Sequence, residues 1–262
     1  MTTPVGAGLD TTRTGTALTV SRLTAGHGLL TAVHPVDLHV APGEVLALVG
    51  ANGAGKTTLL RTIAGIHPAR DGSVRLGDTD VTPLSAHRRA RLGLALVPEG
   101  RRLFPELTVA ENLAVAASSG RRGRWDVATV VAAFPQLRDL LSRPANRLSG
   151  GQQQAVAIGR ALMTNPSVLM LDEVSLGLSP AAVDLVYASL TTLRTSGVTV
   201  VLVEQDLARA LEFADRVVCM LEGRLVLEGT SGDLTRDQVT AAYFGLAGTR
   251  SIPAAGPPQE QP

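Results

Sequence analysis

Of the 24 lysines and arginines in this chain, only Lys56 is a lysine. It closes a glycine-rich run that reads Gly50, Ala51, Asn52, Gly53, Ala54, Gly55, Lys56, Thr57, Thr58. The spacing is that of a phosphate cradle, G-x-x-x-x-G-K-T, and its setting fits, with the apolar run EVLALV before it and the helical pattern TLLRTIA after it. Glycines let the backbone curl so that its N–H groups point at phosphate oxygens, and the helix N-terminus adds its positive dipole. Lys56 then neutralises the β and γ phosphates of a nucleoside triphosphate, a task for a compact ammonium rather than a planar guanidinium. The Thr57 hydroxyl is placed to hold Mg²⁺. The arginine bias elsewhere reads as genomic base composition and carries no chemistry.

Two further constellations fit the same reaction. The run Val168-Leu-Met-Leu-Asp172-Glu173 delivers two carboxylates at the C-terminal end of an apolar strand, which is where an open α/β sheet binds its ligands. Asp172 would reach Mg²⁺ directly or through water, and Glu173 would orient and polarise an attacking water. The second is Leu148-Ser149-Gly150-Gly151-Gln152, ahead of a helical run over Gln153 to Met163, and it offers another anion cradle at a helix start. Alone, the first is a strand exit and the second an N-cap; beside a phosphate loop both gain a role. One nucleotide in one loop has no use for a second cradle, which makes sense if it closes over a nucleotide held by another subunit.

These residues need a rigid frame, and short apolar runs supply it: LTV at 18–20, VLALV at 45–49, VLML at 168–171, VTVVLV at 198–203 and RVVCML at 216–221. Continuous apolar strands separated by helical stretches predict a largely parallel α/β sheet covered on both faces. Residues 101–147 carry helical patterns and the Arg121–Arg124 cluster without a strong strand, and are expected to form a helical insertion. The first 16 residues, rich in Thr and Gly, read as a flexible tail without the pattern of a signal peptide. The Pro-rich end, 248–262, reads as disordered. The domain proper therefore spans 17–247.

At 262 residues the chain fits one large α/β domain or two small ones sharing a core, and with aromatics at only 3% that core must be Ala, Val and Leu. No apolar run approaches the ~18–20 residues that span a bilayer. A net charge of +1 with dispersed arginines gives no support to nucleic-acid binding. The single cysteine, Cys219, excludes an internal disulfide and reads as an inert strand residue. His34, His39, His67 and His87 show no metal-ligand spacing.

The phosphate loop, LSGGQ, LMLDE and Ser175-Leu-Gly-Leu-Ser-Pro180 stand in the order of the ATP-binding cassette ATPases, and the resemblance covers roughly residues 17–245. More finely, the chain resembles the ATPase subunits of branched-chain amino acid importers of the LivF type. That likeness rests on GANGAGKTTLLRTIAG at 50–65, HRRARLGLALVPEGRRLFPELTVAENL at 87–113, AIGRALMTNP at 157–166 and VLVEQDLARALEFADR at 201–216.

The resemblance implies a P-loop NTPase (RecA-like) core with an antiparallel β subdomain and a helical subdomain at about 101–147. It implies ATP and Mg²⁺ as ligands and a head-to-tail dimer with a second, companion ATPase subunit, each site pairing one chain's phosphate loop with the other's LSGGQ. It also implies docking on membrane permease subunits at the cytoplasmic face, with an external solute-binding protein beyond them. Three positions depart from the general cassette pattern. Glu99 replaces a metal-site Gln, Gln205 replaces the switch His that contacts γ-phosphate, and His27 replaces an adenine-stacking aromatic. The first two look like the LivF-type subunits; Gln can donate to phosphate but cannot take up a proton. Val174 stands where a proline usually follows Glu173. The alternatives are import of urea or short amides, or a weakly hydrolytic ATP-binding regulatory subunit. A soluble cassette protein acting on DNA or ribosomes would need two cassettes or a coiled-coil insertion, and neither is present.

Overall fold

The computed structural model describes residues 15–117 and 120–246. The segments read as tails lie outside the described residues except for Gly15 and Thr16. Those two are already attached, since the Thr199 hydroxyl donates to the Thr16 carbonyl at 3.0 Å.

The first half of the chain runs β1 (Leu18–His27), β2 (Leu30–Val40), β3 (Val45–Val49), α1 (Lys56–Ile63), β4 (Asp71–Leu76), β5 (Thr79–Asp80), α2 (Ala86–Leu92), β6 (Leu94–Val97), α3 (Val109–Ala117) and α4 (Val127–Ala133). Short 3₁₀ turns follow, then α5 (Gly150–Leu162), β7 (Val168–Asp172), α6 (Pro180–Arg194), β8 (Thr199–Glu204), α7 (Leu207–Phe213), β9 (Arg216–Leu221), β10 (Arg224–Thr230) and α8 (Arg236–Tyr243). The expected runs at 45–49, 168–171, 198–203 and 216–221 all become strands of one six-stranded sheet, ordered β10-β9-β3-β8-β7-β6. Its inner strands pair in parallel, and β10 closes one edge antiparallel to β9. The strand begun by LTV joins a separate antiparallel sheet, ordered β2-β1-β4-β5.

Strand periodicity explains why the parallel strands read as unbroken apolar runs. Val45, Ala47 and Val49 face the core built with α3 to α8, while Leu46 and Leu48 face the one shared with the antiparallel sheet and α1. Both faces are covered, so no position on β3 can be polar. Cys219 lies on the first of these faces, fully buried. Val174 is buried there too, at 1% exposure, so its role is packing.

The segment 101–147 carries α3, α4 and the 3₁₀ turns Pro135–Leu140 and Ala145–Arg147. It packs on α5, where Gly159 lets α4 approach so closely that a Cβ there would lie 2.8 Å from Val130. In the Arg121–Arg124 cluster, Arg121 donates to Ser167 Oγ and the Leu92 carbonyl, and Arg124 to the Ser196 carbonyl. These two arginines therefore splice the insertion to the core.

Candidate functional site

The strand order sets the site. β3, β8, β7 and β6 are consecutive parallel neighbours, so the segments leaving their C-terminal ends stand side by side. Along that edge lie the phosphate loop after β3, Gln205 after β8, Asp172 and Glu173 at the end of β7, and Glu99 just past β6.

The loop itself depends on two glycines. Gly55 holds φ 104° as the N-cap of α1, and a Cβ on it would meet the Ala32 carbonyl at 2.4 Å. Gly50 lies so close to the Met220 carbonyl that a Cβ would fall 2.2 Å from it. Among the described residues no side chain caps α1, so its first N–H groups are left without a side-chain acceptor. Lys56 is 3% exposed and donates to the Gly50 and Ala51 carbonyls at 2.7 and 3.0 Å. Its ammonium stands 3.8 Å from Glu173. Burial pulls the Lys56 ammonium below its ordinary value, and the Glu173 and Asp172 carboxylates oppose that shift.

The Thr57 hydroxyl donates to Asp172 Oδ1 at 3.2 Å, while Asp172 Oδ2 is buried without a hydrogen-bond partner among the described residues. Burial first, then the charges of Glu173 and Glu99, push the Asp172 carboxyl up to about 6, against the bond from Thr57. A buried carboxylate oxygen without a partner costs free energy that a hard cation would recover, and Thr57 and the neighbouring carboxylates offer oxygen ligands. The Thr57 hydroxyl and Asp172 therefore fit a Mg²⁺ ion, and Glu99 stands near enough for its charge to act on Asp172.

Glu173 adopts a left-handed backbone, φ 51°, and its N–H donates to the Val203 carbonyl at 3.1 Å. A non-glycine residue there costs about 1–3 kcal/mol, offset by the neighbouring strand that fixes it. The turn brings its carboxylate back over Lys56 instead of letting it continue along the strand.

His27, at the β1–β2 hairpin, reaches Thr58 through a 3.3 Å contact between Nε2 and Oγ1. His67 packs on it with ring centroids 4.6 Å apart and is itself tied to the Gly26 carbonyl at 2.9 Å. Nothing in the GIHP stretch around His67 marks it in the sequence.

Ser149, Gly150, Gly151 and Gln152 form a different construction. Ser149 is the N-cap of α5, which starts three residues before the expected Gln153. Its hydroxyl accepts from Gln152 N–H at 3.4 Å, and its own N–H donates to Gln152 Oε1 at 3.0 Å. Gly150 packs near Arg101 and Leu178, and Gly151 so near Ala182 that a Cβ would lie 2.7 Å from it. Neither the lysine nor the carboxylates of the first loop bond to this one among the described residues. Two residues without a sequence signal also belong here: Glu204, which binds Ser175, and Arg101, which donates to Gln153 Oε1 at 3.0 Å.

Residues 33–175 match the family described as ABC transporter. The high-affinity branched-chain amino acid transport ATP-binding protein BraG of Pseudomonas aeruginosa is 41% identical over 231 residues, covering 87% of this chain and 99% of the relative. The probable branched-chain amino acid transport ATP-binding protein LivF of Archaeoglobus fulgidus is 38% identical, covering 81% and 92%. Among solved structures, a dimeric post-hydrolysis state of the ATP-binding cassette MJ0796 bound to ADP and Pi superposes with a TM-score of 0.73 at 25% identity, covering 82% of this chain and 98% of that one.

Proposed function

The chain belongs to the ABC transporter family, and from that premise we propose that it is the ATP-hydrolysing subunit of an importer of branched-chain amino acids. The observation that carries the catalytic part is the meeting of Lys56, Thr57, Asp172 and Glu173 around one loop, with one Asp172 oxygen unpartnered.

The N–H groups of Gly50 to Thr58, with Asn52, Gly53 and Ala54 in the loop, cradle the ATP phosphates, and Lys56 leaves its own loop carbonyls to neutralise the β and γ groups. His27 lies beside the adenine. Thr57, Asp172 and Glu99 would hold Mg²⁺, which when bound supplies positive charge against the phosphates. Glu173 accepts a proton from the attacking water; the water oxygen bonds to the γ-phosphorus, the bond to the β–γ bridging oxygen breaks, and ADP and phosphate leave. Gln205 donates an amide hydrogen to the γ-phosphate. It cannot store a proton, so proton acceptance falls on Glu173.

Ser149, Gly150, Gly151 and Gln152 cover the nucleotide of a companion ATPase subunit in a head-to-tail dimer, and a dimeric relative bound to ADP and Pi supports that arrangement. ATP, bridging both chains, favours the closed dimer by its differential affinity, and hydrolysis reopens it. The permease would dock in a groove of about 510 Å³ between the core and the helical insertion, where Ile66 and Phe104 are exposed beside His87 and Arg102. The chain then works at the cytoplasmic face of the membrane, below an external solute-binding protein. No described helix is long and apolar enough to cross a membrane.

The test is uptake of labelled leucine, isoleucine, valine and urea by native cells carrying Glu173→Gln. Loss of amino-acid uptake alone is the expected result. Loss of urea uptake alone would move the assignment to short amides, and wild-type uptake of all four would overturn it.

A further inference from the structure

One buried acid has no part in the chemistry above. The apolar strand β8 ends on Glu204, only 1% exposed, where another valine or leucine would continue both cores without desolvating a charge. No cation pairs with Glu204 among the described residues; Arg209, the nearest arginine on α7, is bonded to Asp184 and Asp206. Burial holds the Glu204 carboxyl above the usual carboxylate range, against the hydrogen bonds it accepts. Its Oε2 accepts from the Ser175 hydroxyl at 2.7 Å and from the Gln205 N–H at 3.3 Å. Among the described residues neither Oε1 nor the Tyr187 hydroxyl on α6 has a partner of full hydrogen-bond geometry, but the two lie side by side and Tyr187 is one of the donors that favour the Glu204 carboxylate.

A buried acid that satisfies two donors on two loops acts as a clasp. The loop after β7 carries Glu173 and Ser175; the segment after β8 begins with Gln205. The first is bonded twice to the end of β8, by Glu173 N–H on the Val203 carbonyl and by Ser175 on Glu204, and the second gives its Gln205 N–H to the same Glu204 carboxylate. The same loop runs on through Leu178 and the N-cap Ser179 to Ala182, the residues on which Gly150 and Gly151 pack. Glu204 therefore sits where the placement of Gln205, of the loop bearing Glu173 and of the glycines of the second cradle meet.

We infer that Glu204 is a positioning residue for ATP hydrolysis: by accepting from Ser175 and from the Gln205 backbone it holds the β7 and β8 exit loops in one relative position. The inference rests on the proposed roles of Glu173 and Gln205. The carboxylate faces Ser175, Tyr187 and the Gln205 N–H, so it acts through the loops.

ATP turnover by the full transport complex, isolated through a tag on this chain, tests it. Glu204→Leu and Ser175→Ala should each lower kcat about 10- to 100-fold, the scale of a roughly 1 Å misplacement, with KM for ATP unchanged. Glu204→Gln keeps an acceptor oxygen for both donors and should retain most of the activity. The double variant should be no worse than the poorer single one, because both break the same contact. Ser175→Ala removes only a hydroxyl from a half-buried loop, so it decides the matter if Glu204→Leu does not fold. A wild-type kcat in Ser175→Ala, a Glu204→Gln as poor as Glu204→Leu, or additive losses would each overturn the inference. Glu173→Gln in the same assay separates the two levels. Turnover that survives it sinks the catalytic reading, whereas turnover lost there but untouched by the Ser175 and Glu204 variants sinks only the clasp.

Discussion

Two glycine-rich loops each open a helix in this chain, at Gly55 before α1 and at Ser149 before α5, and they are built on opposite plans. The first leaves its helix N-terminus uncapped, buries a lysine against its own carbonyls and ends beside two carboxylates, one with a free buried oxygen. The second is capped by its own side chains, with Ser149 and Gln152 satisfying each other's backbone N–H groups, and no lysine or carboxylate of the first site bonds to it among the described residues. A loop with unsatisfied donors and a trapped charge is poised for a ligand of its own. A loop already satisfied at its cap, with Gly151 pressed on Ala182 of α6, offers shape and a few N–H groups, which suits it to complete a site assembled elsewhere.

Substitutions on either side sharpen or break this contrast. The largest effect belongs to Glu173→Gln, which should lower turnover by ~10²- to 10⁴-fold while nucleotide titration shows wild-type ATP affinity; unchanged turnover in the complex would remove Glu173 from the chemistry. Lys56→Arg comes next. A planar guanidinium cannot reproduce the contacts of a compact ammonium with the β and γ phosphates, so ATP binding by the single chain should weaken about 10- to 100-fold, the scale of one lost charge-assisted hydrogen bond; equal affinity would mean that the site does not select lysine.

Ser149→Ala should cost about 1 kcal/mol of stability through the lost cap, read as a melting-point drop of roughly 2–4 °C. Binding of ATP to the single chain should not change, while turnover of the assembled complex falls. Should single-chain affinity drop as it does for Lys56→Arg, the two loops serve one intramolecular site and the contrast collapses. The smallest effect is expected from Gln205→His. Both side chains can donate to phosphate, and Glu173 already accepts the proton, so turnover should stay within a few-fold of wild type; a large gain would show that this site lacks a proton acceptor.

Legibility from the sequence divides along the same physical line. The strands β3, β7, β8 and β9 could be read because burial on both faces forces unbroken apolar runs. β2, β4 and β10 are half exposed and alternate with charges such as Asp37, Arg75 and Glu228, and β6 is a four-residue edge strand set between an arginine-rich helix and a proline; none offers so plain a pattern. Among the site residues, Lys56, Thr57, Asp172 and Glu173 carried their chemistry in local spacing. His67, Arg101 and Glu204 did not, since each matters only through a contact with a residue distant in the chain or, for Glu204, with a loop that crosses from another strand.

What the chain determined on its own is therefore local: a backbone that glycines curl around phosphate, one lysine in a chain otherwise supplied with arginine, a capped helix start at Ser149, and apolar strands that must lie inside. What the tertiary structure decided is adjacency. Gly50, Glu99, Asp172 and Gln205 lie far apart along the chain, yet they leave neighbouring strands because the order β3-β8-β7-β6 places four C-terminal ends along one edge. No residue near any of them specifies that order. It follows from how two buried faces pack at once over the whole sheet, which is a property of all the strands together.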